Sequence, residues 1–518
     1  PTRFVEKISA DPTVNWPRHR AAPKNYPVSP GPRPIGRMTG RWRFLSYGRN
    51  FHLARCMNPQ VWAHGYRAGM RREFRESAIQ FTGKIRSASH HSVSPRLVGW
   101  SVVVGAAAGF VASVFRLILQ TMLHAVMHLY RYVIPGRPWI VAMEIVIFIA
   151  FGWCIAALIR SDPLIKGSGI PDVEKRLRSS APLHFPWFRV LWKKIVGGIL
   201  AIGPGAFAGR EGPSIQMGAC VGMGFSAITM TTRTYRRELV AAGAAAGLSA
   251  AFNAPIAAVL FVTEEIYSRF TLNIGLASLA AALSANAVSS SIFGIEPVFS
   301  LPHVIKPPIS SYWSIGALAV LLGMLAWAYE WTLLRSSKAY DLLHLPLAVR
   351  TFVPLLLTIP VGLLAPDLLG GGNATVTSIG NSHHALWVLL VFLAVRFGIS
   401  QITYGSGSPG GIFLPILTLG ALAGASWGAF LNVQQLWSGG TDAATLMIIV
   451  GMSGLFGAVS KAPLTAIILV TEMTSYDLLM PLGFATLISY LVYDAMGGKP
   501  IYDALGKPVD SATLRPSD

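Results

Sequence analysis

The stretch Ala254–Glu265, APIAAVLFVTEE, occurs twice in this chain, because Ala462–Met473 reads APLTAIILVTEM. The two copies lie 208 positions apart and share six of their twelve residues. A glycine-rich stretch precedes each copy, AAGAAAGLSAAFN in the first and VGMSGLFGAVSK in the second. Duplicated apolar halves with interrupted helices are typical of membrane transporters whose binding site lies where the repeats meet, near the middle of the membrane.

The composition of the 518 residues supports a membrane protein. Only 13% of them are charged, against about 25% in ordinary soluble domains, which excludes a soluble globular enzyme and a disordered chain. Apolar runs follow one another from Leu97 onward, but 352–366, 385–395 and 412–422 are shorter than the roughly 20 residues that cross a bilayer upright. We therefore predict an all-α polytopic fold in which some helices are tilted or re-entrant, with their broken ends buried in protein.

The basic charge is concentrated at the start of the chain. Residues 1–98 hold 18 Lys and Arg against 4 Asp and Glu, a net charge of +14 out of +20. This stretch has no run long enough to span a bilayer, and basic segments tend to stay cytoplasmic. We predict a basic cytoplasmic extension over residues 1–95, although an organelle transit peptide has a similar composition. No nucleic-acid-binding motif is found, and we expect no nucleic-acid partner.

Three glycine-rich segments resemble helix starts. They are GSGIP at 167–171, GREGP at 209–213 and GGIFLP at 410–415. A helix N-terminus leaves up to four N–H groups without a partner and carries about half a positive charge. If the three starts converge, they can bind an anion without a Lys or Arg, which would hold it too tightly for rapid release. Helix packing through small residues is the alternative reading of any one of them.

Glu211, within GREGP, is the most informative single residue. A carboxylate in an apolar region is costly, but at a helix N-terminus it occupies the place that an anion prefers. Ionised, Glu211 blocks the anion, and protonated, it can swing away, so one residue can couple protons to anions. Because Arg210 is adjacent, an ion pair is the alternative; we expect Arg210 to pair with Glu174 and leave Glu211 free.

Two glutamates end the first copy of the repeat, and only Glu264 has a counterpart, Glu472, in the second copy. We expect the shared glutamate to be structural and the unshared Glu265 to have a role of its own, such as passing protons to the cytoplasmic side. Tyr502, in GGKPIYDAL after the last apolar run, is either an interfacial anchor or an anion donor. The residues alone leave that choice open.

These motifs together resemble the CLC family of chloride channels and chloride/proton antiporters. The resemblance covers about residues 96–505 and includes GSGIP, GREGP, GAAAGLSAAFNAPIAAVLFVTEE, GSPGGIFLP, KAPLTAIILVTEM and GGKPIY in the family's order. It implies a homodimer in which each subunit has its own anion pathway, built from two inverted repeats of tilted and re-entrant helices. The implied membrane domain is 96–518, with repeats at about 96–295 and 310–505. A cytoplasmic CBS pair is not expected, as in prokaryotic-type members.

The resemblance also implies roles for individual residues. Glu211 is the gating and external proton glutamate, and Glu265 the internal one, whose presence is typical of antiporters. The implied chloride ligands are Ser168 and Tyr502, through their hydroxyls, and Ile412 and Phe413, through their backbone, with an outer site formed by backbone around Arg210 and Gly212. The implied selectivity motifs comprise Gly167, Ser168, Gly169, Ile170 and Pro171; Gly209, Arg210, Glu211, Gly212 and Pro213; and Gly411, Ile412, Phe413, Leu414 and Pro415.

The sequence thus predicts a secondary active transporter that exchanges chloride for protons. A passive, proton-gated chloride channel of the same fold is the alternative. We expect an integral, multi-pass protein of the plasma or inner membrane with both termini cytoplasmic, and neither a cofactor nor a metal besides the transported ions. An intramembrane enzyme with Ser406 or Ser408 as nucleophile lacks a histidine at useful spacing, so we do not expect an enzyme.

Overall fold

The described part of the chain is helical throughout. The computed structural model describes residues 94–506 except 180–182, 184, 268–270, 296, 300, 303–306, 383, 438–442 and 475. Over these residues it contains α-helices, short 3₁₀ and π turns and no strand. Most of the predicted basic extension lies outside the described residues, so its boundary, its role and the side of its terminus stay predictions.

The helices fall into two series of eight and a short last helix. The first series is α1 Pro95–His128, α2 Ile140–Ser161, α3 Ile170–Arg178, α4 Trp187–Ile202, α5 Glu211–Ile228, α6 Arg233–Phe252, α7 Pro255–Phe261 and α8 Leu272–Phe293. The second is α9 Tyr312–Leu342, α10 Leu347–Leu364, α11 Asn373–Asn381, α12 Leu386–Gly405, α13 Phe413–Val433, α14 Ala443–Ser460, α15 Pro463–Met473 and α16 Leu479–Ala495, followed by α17 Ile501–Leu505. Both series place the matched segments at the same point in their order, which confirms the duplication.

Eight helical segments in the described part are long and apolar enough to cross a membrane. The three runs that we expected to be too short belong to α10, α12 and α13, which have 18, 20 and 21 residues. That expectation was wrong for these three, because the helices extend beyond the apolar runs, α10 back through Arg350, α12 on through Arg396 and α13 on to Val433. Shorter helices do occur, such as α15 with 11 residues and α7 with 7.

Glycines bring the paired helices of each half into backbone contact. A Cβ atom added to Gly218 of α5 would collide with the carbonyl oxygen of Gly243 on α6, and the converse also holds. Gly420 of α13 and Gly451 of α14 form the same reciprocal contact in the second half. Small residues at such positions let apolar helices approach closely where there is little hydrophobic driving force between them. The two helix pairs therefore form equivalent rigid units.

Two glutamates, one in each copy of the repeat, join the two halves through hydrogen bonds. The Glu264 carboxylate accepts hydrogen bonds from the Thr465 N–H (2.9 Å) and hydroxyl (2.7 Å), at the start of α15. The Glu472 carboxylate accepts from the N–H groups of Ile256 (3.1 Å) and Ala257 (2.8 Å), at the start of α7. Each copy of the repeat thus caps the first turn of the other, which confirms a structural role for the shared glutamate.

Candidate functional site

Backbone hydrogen bonds draw the three glycine-rich segments together. Gly209 and Gly411 exchange both N–H···O bonds, at 2.7 and 2.8 Å. Gly167 donates to the Gly407 carbonyl and accepts from the Gly410 N–H, both at 3.1 Å. The segment between α12 and α13 therefore holds the other two on either side. The predicted helix starts are confirmed: α3 begins at Ile170, α5 at Glu211 and α13 at Phe413.

The close approach continues at the helix starts themselves. A Cβ atom on Gly212 would lie 2.7 Å from the Cβ of Ser168. The Cβ position of Gly411 is 3.1 Å from the Gly212 nitrogen. Only residues without side chains allow the starts of α3, α5 and α13 to meet at these distances. Their unpaired N–H groups are therefore concentrated in one small region.

Glu211 lies at the first position of α5 and is fully buried. Its carboxylate faces its own N–H group and that of Leu414, in the first turn of α13. Neither oxygen makes a hydrogen bond of normal geometry within the described part of the chain. The guanidinium groups of Arg210 and Arg116 are close enough to interact electrostatically with the Glu211 carboxyl group. A carboxyl group thus occupies the point where two helix N-termini meet.

The expected ion pair between Glu174 and Arg210 was wrong. Glu174 pairs with Arg178, its Oε1 lying 2.8 Å from Nη1, because the two are one turn apart on α3. Arg210 instead turns toward its neighbour, with Nε 3.9 Å from Oε1 of Glu211. Its Nη2 donates to the Ala251 carbonyl at 3.4 Å. Glu211 is therefore not isolated from Arg210, although the separation is too long for a tight pair.

Tyr502 and Phe413 lie in an aromatic cluster and are fully buried. The Phe413 ring packs against Phe252, Phe261 and Phe456, at centroid distances of 5.1, 5.5 and 4.3 Å. Phe261 also meets Tyr502 edge to face at 6.0 Å. The Tyr502 hydroxyl has no hydrogen-bond partner in the described part of the chain. A buried donor left in this state is rare, and it indicates a place for a polar ligand.

Glu265 lies in a π-helical turn, Val262–Ile266, and is 4% exposed. π turns inside helices are frequent at functional sites. Arg178 donates to the backbone carbonyls of Glu265 and Ile266, the latter at 3.1 Å. Tyr502 is within electrostatic range of both Glu265 and Glu211. The Tyr502 hydroxyl thus lies close enough to interact electrostatically with both glutamates.

Two separate cavities reach this region. One, of about 470 Å³, is lined by Arg210 and Leu414. The other, of about 340 Å³, is lined by Ser168 and Tyr404. Glu211 and Tyr502 line neither of them. The two cavities thus lie beside different helix starts, and we name them the Arg210 side and the Ser168 side.

Two residues beside the site were missed by the sequence analysis. The Tyr404 hydroxyl is within hydrogen-bonding reach of the Ser168 side chain. The fully buried Lys194 ammonium donates to the carbonyls of Ile165 (2.9 Å) and Gly167 (2.6 Å), and so fixes the loop before Ser168. A lysine within an apolar helix is a recognisable signal, whereas nothing in the sequence places Tyr404 beside Ser168.

The serines considered as nucleophiles have local partners. The Ser406 hydroxyl donates to the Thr403 carbonyl at 2.7 Å and lies 2.9 Å from the Ser408 hydroxyl. The Ser408 N–H donates to Ser406 Oγ at 3.1 Å. These bonds stabilise the turn between α12 and α13. The contacts of both serines are thus those of a structural turn.

Comparison with known proteins agrees with this arrangement. The family model described as voltage gated chloride channel matches residues 146–494. The H(+)/Cl(-) exchange transporter ClcA of Vibrio campbellii is 34% identical over 418 residues, which are 78% of this chain and 88% of the relative. ClcA of Salmonella arizonae is 34% identical over 357 residues, 66% of this chain and 73% of the relative.

Solved structures show the same fold. A slow cyanobacterial Cl⁻/H⁺ antiporter superposes with a TM-score of 0.74 at 33% identity, over 80% of this chain and 98% of its own. A eukaryotic CLC transporter, at 22% identity, has a TM-score of 0.66 over 79% of this chain and 73% of its own. The two-halved helical fold, the converging helix starts and the family match lead to one conclusion: this chain is a prokaryotic-type member of the CLC (voltage-gated chloride channel) family.

Proposed function

We propose that this protein is a secondary active transporter that exchanges chloride for protons. The observation that carries the proposal is the Glu211 carboxylate, buried against the N–H groups at the starts of α5 and α13. An anionic side chain there competes directly with a transported anion. Similarity to relatives named as H(+)/Cl(-) exchange transporters supports the same function.

In this proposal chloride binds between the Ser168 and Tyr502 hydroxyls and the N–H groups of Ile412 and Phe413. The Tyr502 hydroxyl is buried without a protein partner, which supports its availability to an ion. The helix starts supply partial positive charge. The fully buried ammonium of Lys194, near the loop, donates to two carbonyls. Chloride is thereby stabilised without a direct cation, which favours rapid release.

Glu211 acts as the gate and as the proton acceptor on the Arg210 side. Ionised, it is attracted to the helix starts and excludes chloride from the outer position around Arg210 and Gly212. Protonated, it loses that attraction and moves away, so chloride enters. Chloride and the ionised carboxyl group therefore exclude each other from the same site. Each chloride ion that enters requires a proton on Glu211, and this couples chloride movement to proton movement in the opposite direction.

Glu265 exchanges protons with the Ser168 side. Its burial beside Arg178 and its electrostatic contact with Tyr502 support this role. The path for protons then differs from that of chloride, since Glu265 does not line the Ser168-side cavity. Separate routes allow a proton and a chloride ion to move in opposite directions through one protein.

The test is flux measurement on the full-length protein in lipid vesicles. An antiporter takes up protons against their gradient when chloride flows outward, and its reversal potential shifts with a pH gradient. A reversal potential that ignores pH would overturn the proposal and indicate a passive channel. The Glu265→Ala variant should still move chloride but no protons, and chloride-driven proton uptake by this variant would refute its assignment.

We also propose that the protein is a homodimer in the membrane, with an independent pathway in each subunit. Every residue assigned to the pathway comes from one chain, which supports independence. Cross-linking in vesicles should trap a two-subunit species. Mixed dimers with one Glu265→Ala subunit should retain half of the coupled proton flux, whereas complete loss would show that the subunits depend on each other.

A further inference from the structure

A partly buried cluster of charged groups lies next to Glu265, and the pathway described above gives no role to its carboxyl groups. It consists of Glu174 and Arg178 on α3 and Asp503 on α17. Arg178 Nη1 lies 2.8 Å from Oε1 of Glu174 and 2.7 Å from Oδ1 of Asp503. The same guanidinium holds the backbone carbonyl of Glu265. One cation therefore ties three acidic residues from three elements together.

Oε1 of Glu174 and Oδ1 of Asp503 both contact Nη1 of Arg178, so the two carboxyl groups lie next to each other. Two carboxylates only accept hydrogen bonds, so neighbouring carboxyl groups can bond to each other only when they share one proton. Repulsion between like charges at such a distance has the same consequence. The pair therefore offers a place for a shared proton beside Glu265.

Two of the three acidic side chains are buried, and the third reaches the surface. Glu265 is 4% exposed, the Glu174 side chain 4% and the Asp503 side chain 45%. Oε2 of Glu174 is buried and has no hydrogen-bond partner in the described part of the chain. It thus offers a vacant acceptor within the protein, while Asp503 reaches water. The charged groups close enough to interact electrostatically with Glu174 are Asp503, Arg178 and Glu265. Glu265 also interacts with the neighbouring carboxyl group of Glu264.

We infer that Glu174 and Asp503 form a carboxyl relay that carries protons between Glu265 and the water outside α17. In each transfer one O–H bond breaks on the donor carboxyl and one forms on the acceptor, and no electrons are gained or lost. Arg178 is a positioning residue, which keeps the two carboxyls together and prevents both from holding a proton. The inference rests on the proposed antiport and adds the route from Glu265 to water.

The test compares proton and chloride fluxes of the full-length protein in vesicles. Asp503→Asn and Glu174→Gln should each lower the proton flux by about a hundredfold, the lower end of the range for loss of a general acid or base. Chloride flux should stay within about twofold, so fewer protons move per chloride. Asp503→Glu should restore the ratio. The control is Asp172→Asn, which removes a carboxylate that pairs with Arg176 at 2.9 Å on the same helix.

A pH profile separates a relay from a structural effect. Asp503→His places a group of ordinary pKa about 6.5 in the relay, so its proton flux should change steeply around that pH while chloride flux does not. Because Asp503 follows Tyr502, chloride affinity is measured by calorimetry in every variant. A loss of affinity that accounts for the lost coupling would overturn the relay, as would unchanged proton flux in both Asp503→Asn and Glu174→Gln.

Failure of the inference is distinct from failure of the proposed function. If the unmodified protein moves chloride without protons, the antiport proposal fails first. If it exchanges both ions, Glu265→Ala abolishes proton flux and Asp503→Asn leaves it intact, then antiport stands and the relay is wrong. If Asp503→Asn does not fold, the proton flux of Glu174→Gln distinguishes the same two outcomes.

Discussion

Replacing Glu211 by Gln should tighten chloride binding and remove its pH dependence. The carboxylate faces N–H groups at the starts of both α5 and α13. A glutamine of nearly the same shape keeps the packing but has no charge to compete with chloride. The variant therefore isolates the competition between the side chain and the ion.

The size of the effect follows from the two helix ends. A carboxylate at one helix N-terminus is stabilised by about 0.3–1 kcal/mol when exposed and by up to about 2 kcal/mol when buried. Two ends give about 1–3 kcal/mol for a side chain that is fully buried. That energy opposes chloride, so ionised Glu211 should weaken the apparent affinity by about 5- to 150-fold.

The pH dependence has a definite sign. As the pH falls, Glu211 takes up a proton, the competition disappears and the affinity of the unmodified protein for chloride rises. As the pH increases, the carboxylate returns and the affinity falls. Glu211→Gln should have the tighter value at every pH, because the amide neither ionises nor gains a charge in this range.

Isothermal titration of chloride into the purified protein, at one acidic and one alkaline pH, measures both quantities. The matched control is Glu472→Gln, which alters another glutamate at a helix start, 2.8 Å from the Ala257 nitrogen. The control should keep the pH dependence. Equal affinities for Glu211→Gln and the unmodified protein at alkaline pH would refute the competition, and so would a pH dependence that persists in the variant.

Three further substitutions test the architecture around the site. Tyr404→Phe removes the hydroxyl within reach of Ser168 and should weaken chloride binding by about 1 kcal/mol, or fivefold, in calorimetry. Glu264→Ala removes the cap of α15 and should lower the free energy of unfolding by about 1–2 kcal/mol, measured by denaturation in detergent. Gly218→Ala places a Cβ against the Gly243 carbonyl and should destabilise the protein by about 1–3 kcal/mol in the same assay.

Each of these substitutions has a control in the same chain. Tyr340→Phe removes a hydroxyl that donates to the Ile402 carbonyl at 3.2 Å and should leave chloride binding unchanged. Asp172→Ala breaks a partly exposed pair and should cost less than about 1 kcal/mol. At Gly316 the nearest atom to an added Cβ is 3.6 Å away, so Gly316→Ala should be tolerated. Controls as damaging as their partners would contradict the assigned contacts.

The structure adds detail that chain order could not supply. The expected Glu174–Arg210 pair failed because a partner at i,i+4 spacing was available on the same helix, a local pattern that the expectation did not weigh. Arg178 proved the nearer partner of Glu174, one helical turn away. Asp503, more than 300 positions along the chain, completes the same cluster. Interactions between distant helices depend on how those helices are packed, and no local pattern encodes that.

Sequence alone determined the features that depend on neighbouring residues. The class of protein follows from scarce charge, the duplication from matching letters, and the helix starts from Gly and Pro, whose backbone preferences act within a few residues. Tertiary structure alone decided what meets across the two halves: Glu211 against Leu414, Tyr404 against Ser168, and Glu264 and Glu472 on each other's helices. Those contacts join residues between 201 and 236 positions apart, so they depend on how the helices pack and not on the local sequence.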